Sequence, residues 1–328
     1  MGIKLGIVGL GTIASRHLDS LSKIGRTELT AICDVDKQKT AAVQKKFGGK
    51  VYFDFNKMFA EQPLDAVLIC TPPTVRCEPI AGAARRNIAI FCEKPPAFDL
   101  ITAKKIEEAL KRSKVLNSVG FMWRYNRITD RAKQLIQGHT ISLMRSVFLC
   151  DVISNPSIPD WFSLKERSGG PLLDQAIHLL DVSRYLLGDI LSVHTFGNNL
   201  VVSKSEKVTI EDSHSLNLQF TSGVVGNHLH SWSYGGAAIA RIELYGQKFC
   251  LVLDYFANSI YGKVENVEIN ERMDDDPYIT ELERFLDAVE QKEQSILRSS
   301  YKDAVKTLTV GITANKSFQT EKIEKVAI

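Results

Sequence analysis

The chain has 328 residues, 44% hydrophobic and 24% charged, with a formal net charge of +3. This length predicts two domains, the composition is that of a soluble globular protein, and the weak, dispersed charge argues against a nucleic acid or an anionic membrane surface as partner. No apolar stretch reaches bilayer length, no signal-type leader opens the chain, and the six cysteines form no C-x-x-C and no metal spacing, so buried free thiols, no metal site and a cytoplasmic location are expected.

In chain order, the first third alternates strand and helix. The apolar run Ile3–Val8 leads into "GLGTIASRH" and then a helical pattern with Ile13, Leu18, Leu21 and Ile24 on one side, closed by Gly25. A strand at 29–33, a helix at 36–47 ended by Gly48, a short strand near 51–53 and a short helix with Met58 and Phe59 follow. Next come the strand "DAVLIC" at 65–70, a helix over 74–86, the strand "NIAIFC" at 87–92, a helix near 99–112 and the strand "VLNSVGF" at 115–121. Continuous apolar strands alternating with helices predict a doubly wound parallel sheet covered on both faces. After about residue 122 the rhythm changes. Helices are expected at 127–137 and 171–187, and strands at 141–152, 191–203, 208–220, 223–233, 237–246, 248–256 and 262–270, before helices at 278–290 and 301–319. Alternation such as "SLNLQF" predicts a large, mostly antiparallel open sheet with one face under helices. The fold class is α/β, with a dinucleotide-binding domain over 1–121 and an α+β domain over 122–328.

Gly9-Leu10-Gly11-Thr12-Ile13-Ala14 is a G-x-G-x-x-A between a strand and a helix, the context in which that string binds a dinucleotide. Gly9 permits the tight turn, Gly11 lets a pyrophosphate approach the backbone, and Thr12 and Ile13 open a helix whose unpaired N–H groups face the phosphates. Asp34 ends the second strand, where a carboxylate binds ribose hydroxyls and repels the extra phosphate of NADP. NAD is therefore expected, with NADP as the alternative because Lys37 lies nearby.

Lys94, in "FCEKPP", sits at the carboxyl end of a parallel strand, and Pro95 restricts its backbone. Its ammonium suits a substrate oxygen that gains charge; a Glu93–Lys94 surface pair is the competing reading and these residues alone do not separate the two. In "SGGPLLDQAIHLLD", Asp174, His178 and Asp181 fall at i, i+4 and i+7 on one polar face, behind Gly169-Gly170 and a helix-opening Pro171. An imidazole with a carboxylate one turn away is a proton acceptor.

The chain resembles the glucose–fructose oxidoreductase, inositol dehydrogenase and rhizopine-catabolism (Gfo/Idh/MocA) family over nearly its whole length. The resemblance rests on "GIVGLGTIASRH", "CTPP" at 70–73, "EKPP" at 93–96, "GGPLLDQAIHLLD" at 169–181 and "VTIEDSHSLNLQF" at 208–220. It implies a Rossmann domain followed by a domain whose open sheet builds homodimers or homotetramers, with a C-terminal helix returning to the first domain. It also implies NAD(P)-dependent hydride transfer on a sugar, polyol or sugar derivative. By that match Lys94 polarises the oxygen, His178 is the acid/base, and Asp174 binds a second hydroxyl or tunes the histidine. Thr71, Pro72 and Glu93 match the family's cofactor-side turns. Three departures stand out: Arg76 where many members carry histidine, Asn87 for a helix-ending glycine, and Ala176 for a glycine between the Asp and the His.

Arg124 and Trp161 are candidates for substrate contact, each with an equal structural reading as an ion pair and a packed ring. His17 is expected to pack. His228 and His230 share one strand face without an evident third ligand and are expected at the sheet surface or a subunit contact. Two relatives' ways of using the fold remain as alternatives: a glycosidase with transient oxidation and elimination, and a dinucleotide-binding sensor without turnover.

Overall fold

The computed structural model describes residues 2–155, 160–202, 205 and 207–327. By its contacts the chain forms two compact units. One is the chain up to Tyr125 together with Asp276–Val305; the other is Asn126–Asp275 together with the residues from Lys306.

In the first unit β1 (Ile3–Val8), α1 (Thr12–Ile24), β2 (Thr27–Cys33), α2 (Lys37–Phe47), β3 (Lys50–Tyr52), α3 (Phe55–Glu61), β4 (Ala66–Ile69), α4 (Cys77–Ala84), β5 (Ala89–Cys92), α5 (Leu100–Ser113) and β6 (Asn117–Val119) follow one another. The strands pair in parallel in the order β3-β2-β1-β4-β5-β6. The order reverses between β1 and β4, and the loops leaving their carboxyl ends part there, which is where such sheets bind ligands. Buried strands explain the apolar runs: all four residues of β4 are inaccessible. Asp36, Asp54 and Asp99 cap α2, α3 and α5 by accepting N–H groups of the first turn.

The second unit contains α6 (Arg127–Ile136), β7 (Ile141–Leu149), α7 (Lys165–Ser168), α8 (Pro171–Asp174), α9 (Ala176–Leu187), β8 (Ile190–Asn198), β9 (Ser213–Phe220), β10 (Val225–Ser231), β11 (Ile239–Gly246), β12 (Phe249–Asp254), β13 (Ser259–Val264) and β14 (Val267–Arg272). The chain then gives α10 (Pro277–Gln291) to the first unit, crosses from one unit to the other within α11 (Tyr301–Thr320), and ends with β15 (Glu324–Lys325) in the second. The nine-stranded sheet has the order β14-β13-β12-β11-β7-β10-β9-β8-β15 and is antiparallel except where β10 meets β7. Alternation holds along β9, where His214, Leu216, Leu218 and Phe220 are buried. α8 lies against β10, and α9 against β7 and β11, so one face is covered.

The strands expected at 191–203 and 208–220 are shorter, β8 ending at Asn198 and β9 starting at Ser213, and two further elements differ in kind. The run at 262–270 is a hairpin, β13 turning into β14 at Glu265, whose φ of 55° no strand accommodates. The helix at 171–187 is two helices, broken at Gln175 (φ −109°, ψ −40°). Among the described residues no helix is long and apolar enough to cross a membrane. The cysteines are free; Cys33, Cys70 and Cys92 are buried as expected, whereas Cys250 is exposed.

Candidate active-site residues

At the end of β1, Gly9 has φ +87°. A Cβ there would lie 2.8 Å from the carbonyl carbon of Cys70 and the nitrogen of Thr71, so glycine is required twice over, by its dihedral and by the chain leaving β4. The N–H of Gly9 donates to Cys33 and that of Cys70 to Val8, each at 2.8 Å, which ties the ends of β1, β2 and β4 together. α1 starts from Gly11, which brings no capping side chain; its first turn carries no acidic residue, and among the described residues no atom beyond Gly11 and its chain neighbours lies within 4 Å of where a Gly11 Cβ would stand. Thr12 is exposed and Ile13 half-buried at this opening. The Thr71 hydroxyl oxygen is buried without a hydrogen-bond partner among the described residues. An uncapped, positively polarised helix start beside such a group fits the pyrophosphate of a dinucleotide.

Asp34 follows β2 and is half-buried. One carboxylate oxygen accepts the Leu10 N–H at 2.6 Å and the other the Asp36 N–H at 2.9 Å. Each oxygen retains a lone-pair direction for a ribose hydroxyl. Lys37 is exposed, its ammonium 6.0 Å from the ring centroid of Phe53.

After β5 the chain makes a tightly bound turn. Glu93 is buried; its Oε1 is 2.6 Å from Nε2 of His17 on α1, and its Oε2 accepts the backbone N–H of Lys94 at 3.0 Å. Burial pushes the Glu93 carboxyl up, but the His17 hydrogen bond and the charges of His17, Lys94 and Arg76 outweigh it and leave it below its usual range. The Arg76 guanidinium donates to the carbonyls of Glu93 and Pro95 and to that of Thr71. Tyr301 donates to the Pro96 carbonyl at 3.2 Å. Lys94 is half-buried, and the Lys94–Pro95 bond is cis. Gly120 leaves room for this turn, since a Cβ there would come within 3.0 Å of Glu93 Oε1.

In the second unit Gly169 and Gly170 have φ of 78° and 75° and lead into α8 with Pro171 at its first position. Asp174 ends α8, half-buried, and His178 lies in the first turn of α9, buried. Between them the Gln175 side-chain carbonyl accepts the Cys150 thiol at 2.7 Å and the Trp232 indole N–H at 3.0 Å, which holds the helix break in place. Burial, with the charges of Asp174 and Asp151, raises the Cys150 thiol to about 12, so it stays protonated as a donor. Asp181 does not share a solvated face with Asp174 and His178. It is fully buried and accepts the Thr307 hydroxyl at 2.7 Å, because α9 is covered on nearly all sides.

Arg124 is buried, pairs with Asp303 at 2.6 Å and donates to the Arg298 carbonyl at 2.6 Å. Trp161 is half-buried and packs on Phe162 with ring centroids 4.2 Å apart and ring planes tilted by 41°. His228 and His230 are not at the sheet surface. They face the covered side with Gly226 and Trp232, and His214 is paired with His230 across the strands. No group of three or more His, Cys, Asp or Glu among the described residues is arranged to hold a metal. Sequence reasoning gave no bonding role to His17 or Gln175 and noted Arg76 only as a departure. A lone arginine inside the otherwise uncharged "PPTVRC" was the available signal for Arg76; the other two roles arise from contacts distant in sequence.

Residues 3–121 match the profile described as "Oxidoreductase family, NAD-binding Rossmann fold", and residues 129–252 that of the "GFO/IDH/MocA C-terminal domain". A myo-inositol 2-dehydrogenase of Thermotoga maritima is 26% identical over 99% of this chain and 98% of that protein. A scyllo-inositol 2-dehydrogenase (NAD(+)) of Bacillus subtilis is 26% identical over 97% and 94%. The solved structure of a levoglucosan dehydrogenase with NADH and levoglucosan has the same fold, with a TM-score of 0.90 and 19% identity over 100% of both chains.

Proposed function

Because the chain belongs to the Gfo/Idh/MocA family of NAD(P)-dependent oxidoreductases, we propose that it is an NAD-dependent dehydrogenase of a ring polyol, sugar or sugar derivative. The observation that carries the reading is the turn after β5, where a buried carboxylate and a buried guanidinium bind the main chain on both sides of Lys94. A surface ion pair needs no such support.

Gly9, Gly11, Thr12, Ile13, Asp34, Thr71 and Pro72 hold the cofactor in this reading. Bound NAD supplies the hydride acceptor. Lys94 donates a hydrogen bond to the substrate hydroxyl oxygen and favours its developing negative charge. The imidazole of His178 takes the hydroxyl proton as the C–H bond yields its hydride and the C=O bond forms. Asp174 binds a neighbouring hydroxyl or orients His178. Asp34, with Asp36 two residues on, disfavours the additional phosphate of NADP. The mostly antiparallel sheet joins copies of the chain into a homo-oligomer, and free thiols suit a cytoplasmic location.

The test is incubation of purified protein with NAD or NADP and a panel of inositols, aldoses and anhydrosugars, following absorbance of the reduced nicotinamide. Reduced cofactor that appears with wild type and is lost in Lys94→Ala is expected. Release of product from an aryl glycoside without reduced cofactor would replace this reading with the transient-oxidation one. Binding of NADH with no turnover of any substrate would replace it with the sensor.

A further inference from the structure

We propose that Arg76 is a positioning residue whose buried guanidinium joins the turn after β4 to the turn after β5 and so sets the direction of Lys94. This rests on the reading of Lys94 as the group that polarises the substrate oxygen.

Three carbonyls converge on one side chain. Those of Glu93 and Pro95 flank Lys94 on either side in the chain and share Nη1; that of Thr71, on the turn beside Gly9, takes Nη2. Arg76 itself is only 2% exposed, and it precedes α4, whose residues from Pro79 onward are largely buried, so the guanidinium is anchored on a rigid element. Carbonyls in such surroundings need donors, and three of them around one point need a planar group with several N–H bonds. A lysine supplies one nitrogen. A neutral histidine supplies one N–H. The guanidinium charge acts on a fourth group as well, since it helps keep buried Glu93 ionised. Ionised Glu93 is the acceptor for the Lys94 N–H, and His17 at 2.6 Å ties the same carboxylate to α1. Arg76 therefore holds the lysine turn twice, directly through its carbonyls and indirectly through Glu93, while touching neither Gly11 nor Asp34.

Full-length Arg76→Met and Arg76→Lys proteins separate this role from a general structural one. Three quantities are measured: NADH affinity by nicotinamide fluorescence, amide hydrogen exchange by mass spectrometry, and kcat and KM on the substrate that wild type oxidises. Arg76→Met is expected to bind NADH within about threefold of wild type while amides of residues 92–98 exchange about tenfold faster and those of β1 and α1 are unchanged. Its kcat falls about 100-fold with little change in KM, the scale of a displaced catalytic group. If Arg76→Met does not fold, Arg76→Lys keeps the charge and is expected to show the same pattern in milder form. Unchanged exchange over 92–98, or unchanged kcat, in a folded variant overturns the proposal. So does a parallel loss of NADH binding with faster exchange throughout β1 and α1, which makes Arg76 an element of the fold alone. A wild-type protein that binds no NADH tells against the dehydrogenase reading, and the exchange at 92–98 still decides the role of Arg76.

Discussion

The main chain around Lys94 is bound at the N–H of Lys94 and at the carbonyls of Glu93, Pro95 and Pro96. Removing the side chain alone should leave that frame intact. Lys94→Ala is therefore expected to bind NADH normally and to lose about 10²- to 10³-fold in kcat, the effect of deleting one donor to a developing oxyanion; normal turnover would remove the lysine from the chemistry. Asp34 is bound through both oxygens to local amides. Asp34→Ser is expected to raise the ratio of NADP to NAD affinity about tenfold or more, read by titrating both cofactors. Gly9 is different in kind. Gly9→Ala meets backbone atoms at 2.8 Å and adopts φ +87°, so a loss of about 3 kcal/mol or more, seen as a lowered unfolding midpoint, is expected. The motif around Gly9 was readable in the sequence as a tight turn. Its approach to Cys70 and Thr71 was not, because nothing local says which strand will lie beside β1.

The break between α8 and α9 and the histidines of β10 show what periodicity leaves undecided. Helical spacing placed Asp174, His178 and Asp181 on one face of one helix; the helix instead breaks at Gln175, whose side chain is engaged by Cys150 and Trp232, and Asp181 is buried because α9 is covered on nearly all sides. Strand alternation correctly put His228 and His230 together. Which side they took followed from Trp232, two residues further on the same face and fully buried. These imidazoles lie in a low-dielectric layer with His214, and Ser146 is 2.7 Å from His228 Nδ1. Burial, with the charge of His214, lowers His228 to about 3 and keeps it neutral; His230 is shifted in the same direction. The unfolded chain protonates such groups near pH 6.5, so the folded state binds fewer protons below that value. Their contribution is complete above about pH 6.5 and is lost as the pH falls towards 3, at about 1.4 kcal/mol per pH unit for each imidazole. Thermal melts between pH 6.5 and 4.5 should fall steeply for wild type and less steeply for His228→Leu. Equal slopes would mean that His228 does not enter the folded state neutral.

At the scale of the molecule, the uncovered face of the nine-stranded sheet carries Leu143 paired with Val225, 47% and 51% exposed, together with Phe196 at 59%. Leu143 and Val225 line a groove that also takes in His194, Asn217 and Ile323. If this face joins copies of the chain, Leu143→Glu with Val225→Glu should convert the assembly to monomer in sedimentation velocity without loss of NADH binding; an unchanged mass would place the interface elsewhere. The alternation of strand and helix up to residue 121 and the change of rhythm after it were legible because burial on two faces and on one face leave different periods in the sequence. The return of a C-terminal helix to the first unit was an expectation of the resemblance alone; that Asp276–Val305 is the returning segment was not legible, because an amphipathic helix does not state which sheet it will cover.

That return has a consequence for how the protein is made. Leu282, Phe285, Leu286 and Leu297 belong to the same core as Leu5, Ile7, Leu68 and Phe91, and α10 lies against α1. The segment carrying β1–β6 leaves the ribosome first, but its core is finished only when Leu297 emerges. At about 5–20 residues per second that wait is on the order of ten seconds or more. During it, the surface destined for α10 is open to chaperones and to other nascent chains, and whatever covers it in that interval governs the yield of active protein.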